Sequence, residues 1–259
     1  MTKIHFYKYQ GAGNDFMLID NREGHFDRNN NILVKKMCDR RFGVGADGLM
    51  LLNANTDYDF EMIYYNADGF EGTMCGNGGR CIVRFAHDLG LIRNACRFIA
   101  VDGEHLAELS DFDVNLKMID VHNIDRYESN KFSLNTGSPH AVIFLDNIDD
   151  INIFEEGRKI RYSDRFAPDG TNVNFVQVTD KDLKIATYER GVEDETLACG
   201  TGITAAALAW MHTNNKSKQT VNINAKGGQL SVSAEKNNSK YVNIWLKGPA
   251  KKVFEGQYC

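Results

Sequence analysis

The interval of 124 residues that separates Cys75 from Cys199 also separates Gly76 from Gly200, Gly78 from Gly202, Tyr64 from Tyr188 and Glu71 from Glu195. Away from the cysteines it relates Gly13 to Gly137, Gly103 to Gly227 and Leu106 to Leu230, so "GAGNDFMLID" faces "TGSPHAVIFLD" and "DGEHLAEL" faces "GGQLSVSA" without a gap. Identities are sparse, yet a constant offset held over roughly ninety positions is hard to produce by chance, and so long a period means tandem domains rather than a solenoid. The chain is therefore expected to fold as two copies of one unit, residues 1–118 and 119–249, joined near "NLKMIDVHN". The closing stretch "GPAKKVFEGQYC" runs past the end of the second copy, and 250–259 is expected to complete the first domain.

Each copy reads as α+β. "KIHFYKYQ", "FMLID", "DFEMIYYN", "CRFIAVDG" and "HLAELS" have the apolar alternation of short strands, and so do "AVIFLD", "NVNFVQV", "LKIATYE", "TVNINA", "QLSVSA" and "YVNIWL". Gly, Asn or Asp turn signals bound each of them. Three helices are expected. "NNNILVKKMCDRR" offers asparagines as caps, and "GGRCIVRFAHDLG" sets Cys81, Ile82, Phe85 and Leu89 on one face before Gly90, a good residue for a helix end. "GITAAALAWMHT" is small or apolar nearly all round, as befits a helix buried on several sides. The predicted fold is two pseudo-symmetric duplicated domains, each a largely antiparallel mixed sheet or barrel wrapped round a central helix.

A chain of 259 residues with 42% apolar and 25% charged content can bury a substantial core. The net charge of −5 gives no general attraction to phosphate backbones or anionic lipid, which argues against a nucleic-acid partner. "MTKIHFYKYQ" lacks the continuous apolar run of a signal peptide, and no stretch approaches the roughly 18 apolar residues of a membrane span, so a cytoplasmic protein without membrane contact is expected. In a reducing compartment the six cysteines are expected to remain thiols. Cys38, Cys81 and Cys96 read as small buried hydrophobes and Cys259 as an inert terminal residue.

Cys75 and Cys199 read differently. Each follows a strand and turn and opens a Cys-Gly-x-Gly run that leads into a buried helix, which puts the thiol at the helix's N-terminal end. About half a positive charge resides there and can lower a thiol's pKa, while the exposed N–H groups can hold a carboxylate. Two such motifs in duplicated domains suggest helix ends facing one interdomain cleft. A carboxylate held between them would have a thiol near each face of its α-carbon, the geometry for inverting a stereocentre by removing a proton on one side and supplying one on the other. No His-Glu-x-x-His, zinc-knuckle, Walker or dinucleotide-binding pattern is present, so neither metal nor nucleotide cofactor is expected.

"GAGNDF", "RRFGVGADG", "YYNADGFEGTMCGNGGRC", "TGSPHAV", "GTNVNFVQV" and "YERGVEDETLACGTGITAAA" resemble, in order, the signature blocks of the diaminopimelate epimerases, and cover residue 11 to about 207. The resemblance implies that family's fold and a cofactor-independent interconversion of LL- and meso-diaminopimelate on the route to lysine and peptidoglycan. It implies that Cys75 and Cys199 are the acid/base pair, Cys75 the donor and Cys199 the acceptor in the LL-to-meso direction. Gly76 and Asn77, with Gly200 and Thr201, are similar to the family's carboxylate seats. Asn14, Asn66, Asn172, Glu189 and Arg190 are similar to its substrate contacts, where the Arg190 fork suits a distal carboxylate. His140 and Glu189 are similar to residues that tune the thiols. Two positions depart from the pattern: many members carry Gln where Gly48 stands and Asn where Ser138 stands. Direct side-chain contacts of the family's kind are not expected at those two, and selectivity at the distal centre could be relaxed.

Three alternatives compete. A proline or hydroxyproline racemase shares the two Gly-flanked cysteines, but usually has His where Asn77 stands and needs no Arg190. A phenazine-type isomerase of similar fold would lack both thiols. A thiol-disulfide redox or binding protein would use Cys75 and Cys199 as a closing pair. Exposed sheet edges could support a homodimer, although no interface pattern is readable.

Overall fold

The structure is a computed structural model and describes residues 3–259. The chain forms two compact units, one comprising the chain up to Leu116 together with Gly248–Cys259, the other Lys117–Lys247.

The first unit begins with β1 (Ile4–Gly11) and β2 (Asn14–Asp20), followed by α1 (Asn31–Cys38), β3 (Gly48–Asn53), β4 (Phe60–Asn66) and α2 (Gly76–Asp88). It continues with β5 (Ala95–Ala100), β6 (Gly103–Leu109) and β7 (Asp113–Lys117). The second unit has β8 (Ile124–Glu128), β9 (Lys131–Asn135), β10 (Pro139–Leu145), α3 (Ile153–Arg161), β11 (Asn172–Val178), β12 (Leu183–Glu189) and β13 (Asp194–Thr196). Then come α4 (Gly200–Thr213), β14 (Lys218–Ala225), β15 (Gly228–Asn237) and β16 (Lys240–Pro249). The last strand, β17 (Lys251–Tyr258), belongs to the first unit.

The strands of the two units are wired alike. β1–β2, β3–β4, β5–β6 and β6–β7 pair antiparallel, whereas β2–β3 and β4–β5 pair parallel. In the second unit β9–β10, β11–β12, β14–β15 and β15–β16 are antiparallel, and β10–β11 and β12–β14 parallel. The outer neighbour of β9 is β8, just ahead of it in sequence. The equivalent neighbour of β1 is β17, antiparallel to it from Ile4 to Gln10.

One face of each sheet carries a peripheral helix. α1 starts at Asn30, whose side chain accepts the Leu33 N–H, and buries Val34, Met37 and Cys38 against Met17, Ile19, Leu49, Leu51 and Ile63. Each such apolar side chain contributes about 2 kcal/mol on full burial. α3 does the same with Ile153 and Ile160 against Ala141, Ile143, Val173, Phe175 and Tyr188. The other face of each sheet curls round the central helix. α2 is buried without interruption from Gly76 to Val83 and touches β1, β2, β3, β6 and β17; α4 is buried from Gly202 to Ala209 and touches β9, β10, β11, β12, β14 and β15.

The repeat is not gapless. α4 is one residue longer than α2, and the left-handed residue that ends each helix is Gly90 in one copy and Asn215 in the other, an offset of 125 rather than 124. The following hairpins keep the longer offset, since Ala100 pairs with Gly103 and Ala225 with Gly228. The match of Leu106 to Leu230 is therefore wrong by one residue. Leu106 is 39% exposed and Leu230 2%, and a one-residue slip along a strand turns every side chain to the opposite face. Several elements carried too little periodic signal to be expected: β3, an unbroken apolar run, the short β7, β8, β9 and β13, the closing β17, and α3, which buries only a narrow stripe.

Candidate active site

Cys75 and Cys199 occupy the same place in their units. Each is the N-cap residue of its central helix, with extended backbone angles (φ −96°, ψ 134° at Cys75; φ −112°, ψ 112° at Cys199). The helical ladder begins at Gly79 N–H to Cys75 O (2.7 Å) and at Ile203 N–H to Cys199 O (2.8 Å). The N–H groups of Gly76, Asn77 and Gly78, and of Gly200, Thr201 and Gly202, thus precede the intrahelical bonds and carry the helix's positive end. By contrast, burial pushes the Cys38, Cys81 and Cys96 thiols up to about 12, which leaves them inert packing groups.

Around Cys75 a chain of directed hydrogen bonds fixes two asparagines. Arg80 Nη2 donates to Asn77 Oδ1 (2.8 Å), Asn77 Nδ2 to Asn14 Oδ1 (2.6 Å), and Asn14 Nδ2 to Asp47 Oδ2 (2.9 Å). Asp47 is in turn held by Arg40, which also grips Asp15. Since Arg80 can only donate, the amide orientations of Asn77 and Asn14 follow from it. Asn66 is exposed at the end of β4, where its backbone forms a turn with Gly69 and Phe70. Gly48 is buried, and a Cβ there would lie 2.5 Å from both Tyr64 Cε2 and Tyr65 O, so the Tyr64 ring fills the space a longer side chain would need.

Around Cys199 the second unit builds a different device. Asn174 Nδ2 donates to Ala141 O and reaches His140 Nδ1, both at 3.0 Å, and a backbone carbonyl accepts only, so it is the amide nitrogen that faces the ring. Nδ1 therefore accepts, and the neutral imidazole carries its proton on Nε2, 3.0 Å from Ser138 Oγ. Ser138 Oγ accepts from that N–H and from Asn172 Nδ2 (3.1 Å), which leaves its own proton for Thr201 Oγ1 (3.3 Å); Thr201 O–H then points at Cys199 Sγ (3.4 Å). Four groups are thus aligned to donate toward one sulfur. Burial, then the charge of Arg190, pushes His140 down to about 3, so it acts as a neutral donor and not as a cation.

Asn172 lies on β11 two residues before Asn174, on the same side of the strand. Its amide hydrogens are committed to Ser138 Oγ and Pro139 O, and its Oδ1 accepts the Arg190 N–H (2.9 Å). Among the described residues the Arg190 guanidinium makes only a long contact, 3.5 Å, to Asp169 O. Glu189 is mostly buried, accepts from Thr196 Oγ1 (2.9 Å), and burial raises its carboxyl above the usual range.

Asn174, Thr187, Arg80 and Asp47 escaped the sequence reading. The first two share β11 and β12 with predicted site residues, and Thr187 Oγ1 fixes the remaining oxygen of Asn174 (3.0 Å). Arg80 was legible in principle, because a helix places it over Gly76 and Asn77 at the i−4 and i−3 positions.

The family model described as diaminopimelate epimerase matches residues 6–121 and 132–253. The chain belongs to the diaminopimelate epimerase family. A relative named diaminopimelate epimerase from Flavobacterium psychrophilum is 52% identical, over 96% of this chain and 98% of its own length. Another, from Chlorobaculum tepidum, is 44% identical over 95% and 98%. Among solved structures, a PhzF-family phenazine biosynthesis protein from Bacillus anthracis matches with a TM-score of 0.80 at 13% identity, over the whole of both chains. A probable proline racemase from Agrobacterium radiobacter matches at 0.69 and 15% identity, over 99% of this chain and 93% of that one. These likenesses show the fold alone. Among the described residues no group of His, Cys, Asp and Glu could hold a metal ion, and no helix is long and apolar enough to cross a membrane.

Proposed function

We propose that this family member interconverts LL- and meso-diaminopimelate with Cys199 and Cys75 as its two acid/base groups and no cofactor. In the LL-to-meso direction the Cys199 thiolate takes the α-proton. The C–H electron pair moves into the adjacent carboxylate, and the Cys75 thiol delivers a proton to the opposite face, leaving Cys199 as thiol and Cys75 as thiolate. The reverse direction exchanges the roles. The first-turn N–H groups at Gly76–Asn77 and Gly200–Thr201 would hold the reacting carboxylate, whose negative charge grows as the α-proton leaves.

The observation that carries this reading is the matched pair of N-cap cysteines, each at the positive end of a buried helix in one of two duplicated units. Asn14, Asn66, Asn172, Glu189 and Arg190 are proposed to bind the remainder of the substrate, with Arg190 on the distal carboxylate. His140, through Ser138 and Thr201, supports the Cys199 thiolate by hydrogen bonding, which lowers a thiol's pKa by favouring its charged form. Glu189, whose carboxyl burial raises above the usual range, is the second group proposed to tune the thiols. Domains 1–118 plus 250–259 and 119–249 would each supply one half-site. The substrate is a free small molecule met in the cytoplasm.

The test is exchange in heavy water. Reduced protein with LL-diaminopimelate and no pyridoxal phosphate should incorporate deuterium at one α-carbon as meso product appears. Product without solvent deuterium, or a requirement for added cofactor, would reject the proposal.

A further inference from the structure

Arg80 is a fully buried arginine in a helix whose other buried residues, Asn77 apart, are small or apolar, and the proton-transfer scheme has not used it. Its three hydrogen bonds go to neutral acceptors: Gly76 O (3.1 Å), Asn77 Oδ1 (2.8 Å) and Pro249 O (3.4 Å). Among the described residues no carboxylate lies within ion-pair distance of it. Burying an unpaired guanidinium is costly, and a cation kept there must be offset by something other than a salt bridge. The charged and titratable groups that act on it are few. They are Cys81, which burial holds as a neutral thiol, Cys75, and Asp113 at the start of β7. Asp102, which receives the Met74 N–H, is engaged by His105, and at the far end of α2 Tyr9 binds Asp88.

We infer that Arg80 is a positioning residue for Cys75: its buried, unpaired positive charge one helical turn from the thiol stabilises the Cys75 thiolate and orients the Asn77–Asn14 amide pair beside it. The thiolate that Cys75 becomes on delivering its proton is the anion this cation serves. Burial pushes the guanidinium's own pKa down, and the Cys75 thiolate is among the groups that act against that push. The second unit meets the same need differently. Thr204, which stands where Arg80 does in the repeat, is neutral and bonds Gly200 O (2.9 Å), and Cys199 is served by the Thr201–Ser138–His140 hydroxyl relay instead. One half-site stabilises sulfur with a charge, the other with oriented O–H groups.

The inference rests on Cys75 as a catalytic thiol, but its test needs no turnover. Reduced protein is alkylated with iodoacetamide across a pH series, and the midpoint for each cysteine is read by peptide mass spectrometry. Cys75 in the parental protein should titrate below the ordinary thiol value of about 8.5. Arg80→Gln, which keeps a donor for Asn77 but removes the charge, should raise that midpoint by about one pH unit or more. The Cys199 midpoint, an internal control for general loosening, should stay in place. An unmoved Cys75 midpoint in Arg80→Gln, or equal movement of both cysteines, overturns the inference. Should Arg80→Gln fail to fold, Arg80→Met, which also removes the charge, is read in the same way, and a parental Cys75 midpoint at or above about 8.5 overturns the inference. A shifted midpoint in a protein that exchanges no deuterium would instead refute the two-thiol reading and leave the action of Arg80 standing.

Discussion

Acid should weaken this protein through His140 in a way that can be isolated. The ring is buried on β10 with Nδ1 occupied by the Asn174 amide, and nothing at that nitrogen could accept a proton from an imidazolium. Its pKa falls from 6.5 to about 3. The unfolded chain therefore takes up a proton near pH 6.5 that the folded chain refuses until about pH 3. Stability is whole above pH 6.5, falls by about 1.4 kcal/mol per pH unit below it, and levels off under pH 3. Between pH 7.5 and 4.5 the loss comes to about 2.7 kcal/mol. His140→Asn removes the titration and keeps an acceptor where Nδ1 stood. Its urea stability should differ from the parent's by an amount that shifts in the variant's favour by about 2.7 kcal/mol between those two pH values. Carboxylates such as Asp15 and Glu189 titrate in both proteins and cancel in the difference. Both tryptophans, Trp210 and Trp245, lie in the second unit, so their fluorescence reports on the unit that holds His140. A difference that moves by less than about 1 kcal/mol would refute the neutral, tautomer-fixed imidazole.

Two further outcomes follow from the geometry. Gly78 and Gly202 are the same glycine in the two copies, but a Cβ at 202 would lie 2.2 Å from Asn174 Oδ1, whereas at 78 it would meet the flexible end of Met50 at 3.3 Å. Gly202→Ala should cost about 2 kcal/mol or more and disturb the relay, and Gly78→Ala less than about 1 kcal/mol, both read by urea unfolding; equal costs would contradict the packing. Thr201→Val keeps the shape and removes the O–H aimed at Cys199 Sγ, so kcat in the LL-to-meso direction should fall by about tenfold with KM little changed. A parental kcat would show that the relay does not reach the sulfur.

Much of this was legible in the residues. The repeat, the N-cap cysteines and the glycines behind them are local features, and backbone geometry alone makes Cys-Gly-x-Gly before an apolar run the start of a buried helix. The extra residue at the end of α4 was hidden because Gly103 and Gly227 match in type while the hairpin turns at Gly228. The hydroxyl relay was hidden for another reason. Its members come from β10 and the bend before it, β11 and α4, and the parallel pairing of His140 with Asn172 brings Asn174 beside the ring. Arg80 lay in plain view, but whether a helical arginine faces water or the core depends on a sheet that curls fully round it.

The central claim is that two thiols serve one α-carbon from opposite faces, and single-thiol variants in heavy water test it most directly. Cys75→Ala should exchange the α-proton of LL-diaminopimelate without forming meso product, because Cys199 can lift and return a proton only on its own side. Cys199→Ala should exchange meso-diaminopimelate at its D-centre alone, again without inversion. Near-parental epimerisation by either variant would contradict the account.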